Sequence, residues 1–257
     1  MEQSALEMMI EAEIVKMSKG VPPFAIFDFD NTCIVNDIGE ATLAYLCRNA
    51  LLKDDSLLDE AGDAATYHER VFHRYHTLCQ EGQIKEAYAL NSKMFSGFTP
   101  EEAEAVVRAT IEAEGDTIGE TELYGITIPH GLVMRPQTLS LMRLLKARGV
   151  HIWIVSASRE CAVRVAMKHF GLAEDLVGVR SVMRDGVFTS ELQTPMPIIE
   201  GKVACLRAFI DPVRSPLVVV DDSMTGLPIL ETATIKVAVD RGGALTKEAK
   251  IRGWFII

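Results

Sequence analysis

Three short runs in this chain are apolar at every position: Ala25-Ile26-Phe27, Ile152-Trp153-Ile154-Val155 and Leu217-Val218-Val219-Val220. A strand without a polar face must be covered on both sides, which restricts the chain to an open, mostly parallel sheet with helices on each face. The later half supplies those helices. Pro136 opens one with Leu139, Met142 and Leu145 directed inward, Gly149 ends it, and others are expected from Arg159 to Phe170 and from Gly201 through Ile210. In such sheets ligands bind outside the carboxyl ends of the strands. There the composition changes abruptly: the runs end in Asp28-Phe29-Asp30-Asn31-Thr32, Ser156-Ala157-Ser158 and Asp221-Asp222-Ser223.

Asp28 and Asp30, two apart in an extended chain, project to one side. Burying one carboxylate beside another is unfavourable unless a cation or a hydrogen-bonding ligand lies between them, so the pair reads as a site; a turn closing the strand is the plainer alternative. Ser156 with free amides at a strand end makes a phosphate-binding corner, or else a simple helix cap. Lys202 falls in a first helical turn, where the dipole is already positive. A neighbouring anion would account for it; a solvated surface lysine is the alternative.

Between the first run and Arg135 the character differs. Residues 37–132 are rich in Ala, Leu and Glu, show no strong strand run before Ile126, and predict helices over Ile38–Leu51, Ala64–Gln80, Lys85–Phe95 and Pro100–Glu114. Thr99-Pro100-Glu101-Glu102 gives the last of these an N-cap, a first-turn proline and first-turn acids. No Gly- or Pro-rich linker is present, so 37–132 is expected as a helical cap inserted after the first strand of an α/β core formed by 1–36 and 133–257. Within it, Glu69, His73 and His76 share a helix face that could hold zinc, or that is simply polar and opposite Phe72, Tyr75 and Cys79. Upstream, Leu6, Met9, Ile10, Ile14 and Met17 predict a helix packed on the core. Arg184-Asp185-Gly186 predicts a β-hairpin over Val177–Leu192, and Thr234–Val239 and Trp254–Ile257 read as further strands.

Composition excludes several functions. A formal charge of −10 without a long Lys/Arg block argues against nucleic acid as a partner, and any anionic substrate must be attracted locally. No apolar run approaches the roughly 20 residues of a membrane span. Met1 to Gly20 lacks the cationic start and apolar centre of a secretion signal, and the five scattered cysteines form no C-x-x-C pair, which fits a reducing, cytoplasmic setting.

In order, these strand ends resemble the four signatures of the haloacid dehalogenase superfamily in its phosphatase form. D-x-D-x-T matches Asp28-Phe29-Asp30-Asn31-Thr32, the apolar strand ending in Ser matches Ile152–Ser156, the lysine matches Lys202, and the acidic pair matches Asp221-Asp222. Ser156-Ala157-Ser158, the Asp185-Gly186 hairpin, Leu227-Pro228-Ile229-Leu230 and Arg252-Gly253-Trp254 are similar to the phosphoserine phosphatase branch. The resemblance implies a Rossmann-like α/β core with a helical cap, hydrolysing a small phosphorylated substrate through an aspartyl-phosphate. Asp28 would be the nucleophile and Asp30 the acid–base group. Mg²⁺ would be held by Asp28, the Asp30 carbonyl and Asp222, with Asp221 as a second or water-mediated ligand. Thr32, Ser156, Ala157 and Lys202 would hold the phosphoryl group, and Asp37 stands where phosphoserine phosphatase has a substrate-sensing Glu. No Arg precedes Phe95-Ser96-Gly97-Phe98, where that enzyme grips the serine carboxylate, so phosphoserine itself is not implied. A phosphomutase or a protein- or phosphotyrosine-directed phosphatase would share this machinery. A dehalogenase would need neither the metal nor Asp30, and a phosphate-sensing protein would tolerate loss of Asp28.

Overall fold

The computed structural model describes residues 2–16, 20–58 and 66–257. The chain opens with α1 (Glu2–Lys16), β1 (Phe24–Phe27) and the short β2 (Ile34–Val35). Next come α2 (Ile38–Arg48), α3 (Tyr67–Gln80), α4 (Ile84–Ser92), α5 (Pro100–Glu114), a hairpin of β3 (Gly119–Leu123) and β4 (Ile126–His130), and β5 (Val133–Met134), which pairs back onto β2. The remainder alternates: α6 (Pro136–Ala147), β6 (His151–Arg159), α7 (Glu160–His169), β7 (Asp175–Val179), a hairpin of β8 (Ser181–Arg184) and β9 (Val187–Leu192), and α8 (Glu200–Cys205). It closes with β10 (Val218–Asp221), α9 (Leu227–Leu230), β11 (Ile235–Ala238), α10 (Ala244–Arg252) and β12 (Phe255–Ile256).

Six of the strands form one parallel sheet in the order β12-β11-β10-β1-β6-β7. The mixed α/β architecture is the one that the doubly apolar runs require. Ala25, Phe27, Ile154, Val218 and Val220 enter a core on one face of the sheet, while Phe24, Ile26, Val155 and Val219 enter a second core on the other. Apart from Ala25, each such side chain contributes about 1.5–3 kcal/mol by leaving water. Phe27 is level with Val220 on one side and Ile154 on the other, so the three chemically distinct strand ends emerge at one edge.

Several elements differ from the sequence reading. The region expected as one hairpin is two elements: Val177–Val179 belongs to β7 of the main sheet, returning parallel to β6 after α7, and only Ser181–Leu192 forms the hairpin. The strand expected to stop at Val155 runs to Arg159, so α7 starts one residue later than expected. Strand β4 begins at Ile126, where strand character is expected to start, whereas β3 is not expected from the sequence; the turn between them is Tyr124-Gly125, with φ of 51° and 76°, which suits a tight hairpin reversal. Helices α2 and α4 stop at Arg48 and Ser92 rather than Leu51 and Phe95, and a π-helical turn continues α8 over Leu206–Ile210. Leu6 and Ile10 of α1 are buried as expected, Met9 is 46% exposed, and Met17 and Ala64 lie outside the described residues. Among the described residues no helix is long and apolar enough to cross a membrane.

Candidate active site

The site forms because parallel register brings three strand ends level and α2 closes over them. After β1 the Asp28 amide still donates to Val220 O, at 3.0 Å, and Asn31 then adopts a left-handed φ of 58° that turns the chain back. Thr32 Oγ1 consequently lies 3.3 Å from Asp28 Oδ2 and 3.2 Å from Asp222 Oδ1, tying together residues from opposite ends of the chain. Lys202, buried at the start of α8, donates to Asp28 Oδ1 at 2.8 Å and to Asp221 Oδ2 at 2.7 Å. The anion that its unfavourable helix position called for is therefore a pair of carboxylates. Gly201 permits this placement, because a Cβ there would meet Met196 O at 1.9 Å.

The two acids after β10 are held differently. Asp221 Oδ1 accepts from the amides of Asp222 and Ser223 at 2.9 and 3.1 Å, and its other oxygen takes Lys202. Asp222 faces the cavity and accepts from Arg241 Nη1 at 2.5 Å. Carboxylate oxygens of Asp28, Asp221 and Asp222 all lie within 4.8 Å of one another, and among the described residues this is the group that could hold a metal ion. An all-oxygen donor set suits a hard divalent cation such as Mg²⁺. Burial pushes the Asp28 carboxyl up to about 8; Lys202 opposes this, and Asp221 and Asp222 reinforce it. Glu69, His73 and His76 form no such group: His73 and Glu69 are 3.9 Å apart, whereas the His76 ring turns towards Glu40, at 3.8 Å.

Asp30 is placed by α2. Its Oδ1 accepts from the Ile38 amide at 2.8 Å and its Oδ2 from Ser156 Oγ at 3.1 Å. Burial, with Asp37 and Asp28 nearby, still raises its pKa well above the carboxylate range. Ser156 sits just behind the wall, donating to Asp30 and accepting from the Ser158 amide at 3.0 Å; Ala157 and Ser158 are the residues of that corner that face the cavity. Thr32 likewise lies behind the wall, its hydroxyl directed at the two carboxylates.

Asp37 caps α2 through the Glu40 amide, at 2.9 Å, and burial raises its pKa despite that bond. Gly39 is required for this approach: a Cβ would come within 2.9 Å of Ser158 Oγ and 3.1 Å of Asp37 Oδ1. Opposite the strand ends the cavity, of about 100 Å³, is lined by Asp37, Tyr75, Tyr88 and Asn91, and Arg241 stands at its edge. Sequence reasoning missed Tyr75 as a lining residue, along with Tyr88, Asn91 and Arg241. Only Arg241, in the loop just past the end of β11, carried a signal, since ligands collect at such loops.

The profile of the haloacid dehalogenase-like hydrolases matches residues 25–231, which contain all these strand ends. A phosphorylcholine phosphatase from Pseudomonas aeruginosa is 27% identical, the alignment covering 85% of this chain and 72% of that protein. A crystal structure of a protein of unknown function from Bordetella pertussis superposes with a TM-score of 0.70 at 20% identity, covering 93% of this chain and 99% of the other. A substrate-bound phosphoserine phosphatase shares the fold with a TM-score of 0.56 at 16% identity, over 93% of this chain and 94% of its own.

Proposed function

As a phosphatase of the haloacid dehalogenase-like hydrolase family, to which this chain belongs, we propose that it hydrolyses a small phosphomonoester with Mg²⁺, using Asp28 as nucleophile. The observation that carries the reading is the convergence of Asp28, Asp221, Asp222 and Lys202, drawn from two strand ends and a helix start, around one small cavity. Asp28 and Asp222 would hold the ion. Asp221, whose oxygens are taken up by two amides and Lys202, would contribute by fixing the lysine. When bound, Mg²⁺ offsets repulsion between the Asp28 carboxylate and the phosphoryl oxygens and lowers the Asp28 pKa.

Asp28 attacks phosphorus in line and the alkoxide leaves, giving an aspartyl-phosphate. Asp30, with its raised pKa, arrives protonated, gives its proton to the departing oxygen and then takes one from the water that frees phosphate. Lys202 and the amides around Ala157 and Ser158 hold the phosphoryl oxygens as charge develops. Ser156 keeps Asp30 in place, and Thr32 keeps Asp28 and Asp222 together. The segment 37–132 acts as the cap, with α3 and α4 supplying the wall against the leaving group.

That wall selects the leaving group. Its described residues are an acid, Asp37, two tyrosines and an asparagine, while Lys202 and Arg241 are already paired with carboxylates. An acidic leaving group would be repelled, and an alkylammonium group would meet both a carboxylate and aromatic rings. The named activity of the Pseudomonas relative, on phosphorylcholine, has this chemistry. The test compares Mg²⁺-dependent release of phosphate from phosphocholine and from its uncharged carbon isostere. A preference of about tenfold in kcat/KM for the cation is expected, and it should be lost in Asp37→Asn. Hydrolysis of neither ester would refute the phosphatase reading; equal hydrolysis would refute only the leaving-group assignment.

A further inference from the structure

A separate cavity of about 410 Å³ lies where the start of α7 meets β7 and the β8–β9 hairpin, and it shares no lining residue with the active site. Arg159 lines it while being only 1% exposed. Its Nη1 donates to Ser181 Oγ at 2.6 Å, the Phe188 ring lies 4.4 Å from its guanidinium carbon, the Cys161 thiol is alongside, and Nε has no partner. None of these is an anion. Arg164 and Arg180, in the same cavity, both pair with one carboxylate, Glu160, which leaves a positive charge in excess.

A guanidinium does not give up its proton at accessible pH, and Arg159 makes no ion pair of its own: the carboxylate that acts on it is Glu160, already shared by Arg164 and Arg180, so holding it out of water is costly. The contact with Phe188 offsets part of that cost, and an anion would offset more. The approach is also basic. A cleft of about 710 Å³ between α5 and α7 shares Glu104 and Arg164 with this cavity and adds Arg108 and Lys168, so that Arg and Lys outnumber Glu by five to three in a chain of net charge −10.

We infer that this cavity is a second ligand site, for a small oxyanion, a carboxylate or a phosphate, seated between Arg159 and Arg180 at the N-terminal end of α7. The first amides of that helix add to its pull on an anion. The site is coupled to its surroundings through two elements. The strand that ends in Arg159 carries Ser156, the donor to Asp30, and Phe188 exchanges backbone hydrogen bonds with Gly97 and Phe98 at the foot of α5.

The test is isothermal titration of the full chain, without Mg²⁺, with succinate and separately with inorganic phosphate. Saturable binding of at least one probe is expected, weakened about tenfold or more in both Arg159→Met and Arg180→Gln. Binding of succinate alone marks a carboxylate ligand and binding of phosphate through the arginines a phosphorylated one. Arg159→Met replaces the guanidinium with an apolar chain of similar length, so the fold is expected to persist; should it not, Arg180→Gln, at an exposed position, decides the matter. Absence of saturable binding by either probe, or binding that survives the substitutions unchanged, overturns the proposal without touching the assignment of the active site.

Discussion

Replacing Gly226 with alanine puts the support of the carboxylate cluster under direct load. An added Cβ would fall 1.9 Å from Asp221 Cγ and 2.0 Å from its Oδ2. Ordinary contact begins near 3.4 Å, so the carboxylate has to retreat by about 1.5 Å. It cannot do so freely, since it accepts from the amides of Asp222 and Ser223 at 2.9 and 3.1 Å and from Lys202 at 2.7 Å. A bond stretched that far is lost. Each charge-assisted bond is worth about 1.5–3 kcal/mol, and with water replacing part of the set the expected loss of folding stability is about 3–5 kcal/mol. Lys202 is left with Asp28 alone, and displacement of this positioned charge should lower kcat/KM about a hundredfold or more. Urea unfolding followed by circular dichroism reads the first effect, and Mg²⁺-dependent hydrolysis of an aryl phosphate the second. A variant within about 0.5 kcal/mol of wild type and equally active would refute the reasoning.

Two further perturbations follow from the same geometry. Burial, with Asp37 next to it, pushes the Glu40 carboxyl up to about 7 from its ordinary 4.5, so its protonated form is favoured by folding. The contribution is complete below pH 4.5 and is lost as pH rises through about 7. Glu40→Gln should therefore match wild type near pH ~4 and exceed it by about 2–3 kcal/mol above pH ~8. Urea midpoints at the two pH values check this, and a pH-independent difference would count against it. Lys202→Met leaves Asp28 and Asp221 buried without their shared cation, and should cost about 3 kcal/mol of stability and about a thousandfold in kcat. Steady-state kinetics showing more than about a tenth of wild-type turnover would contradict that role.

How far the sequence disclosed this arrangement depended on whether the signal was local. The strands β1, β6 and β10 were readable because residues buried on both faces leave no polar position, and the acids after β1 and β10 were readable because burying neighbouring carboxylates is unfavourable without a partner. Lys202 could be singled out because its place in a helix start is unfavourable without an anion. The β3 strand, Gly-Glu-Thr-Glu-Leu, is largely exposed and polar, so it offered no alternation to recognise. Val177–Val179 was assigned to the hairpin because only Arg180 stands between the end of β7 and the start of β8, and the return crossover after α7 is what places β7 in the main sheet. Tyr75 was read as a core residue, which its burial bears out, yet its place in the cavity wall arises from the packing of α3 and α4 over the strand ends. Arg241 is a long-range partner of Asp222, and no pattern within its own loop predicts that ion pair.

The most direct test of the central claim is to stop the enzyme with acid during turnover of a phosphomonoester with Mg²⁺ and to map phosphorylated peptides. A hydroxylamine-labile phosphoryl group on Asp28, absent from Asp28→Asn, is the predicted result. Turnover that continues in Asp28→Asn, or a phosphoryl group found on another residue, would contradict it.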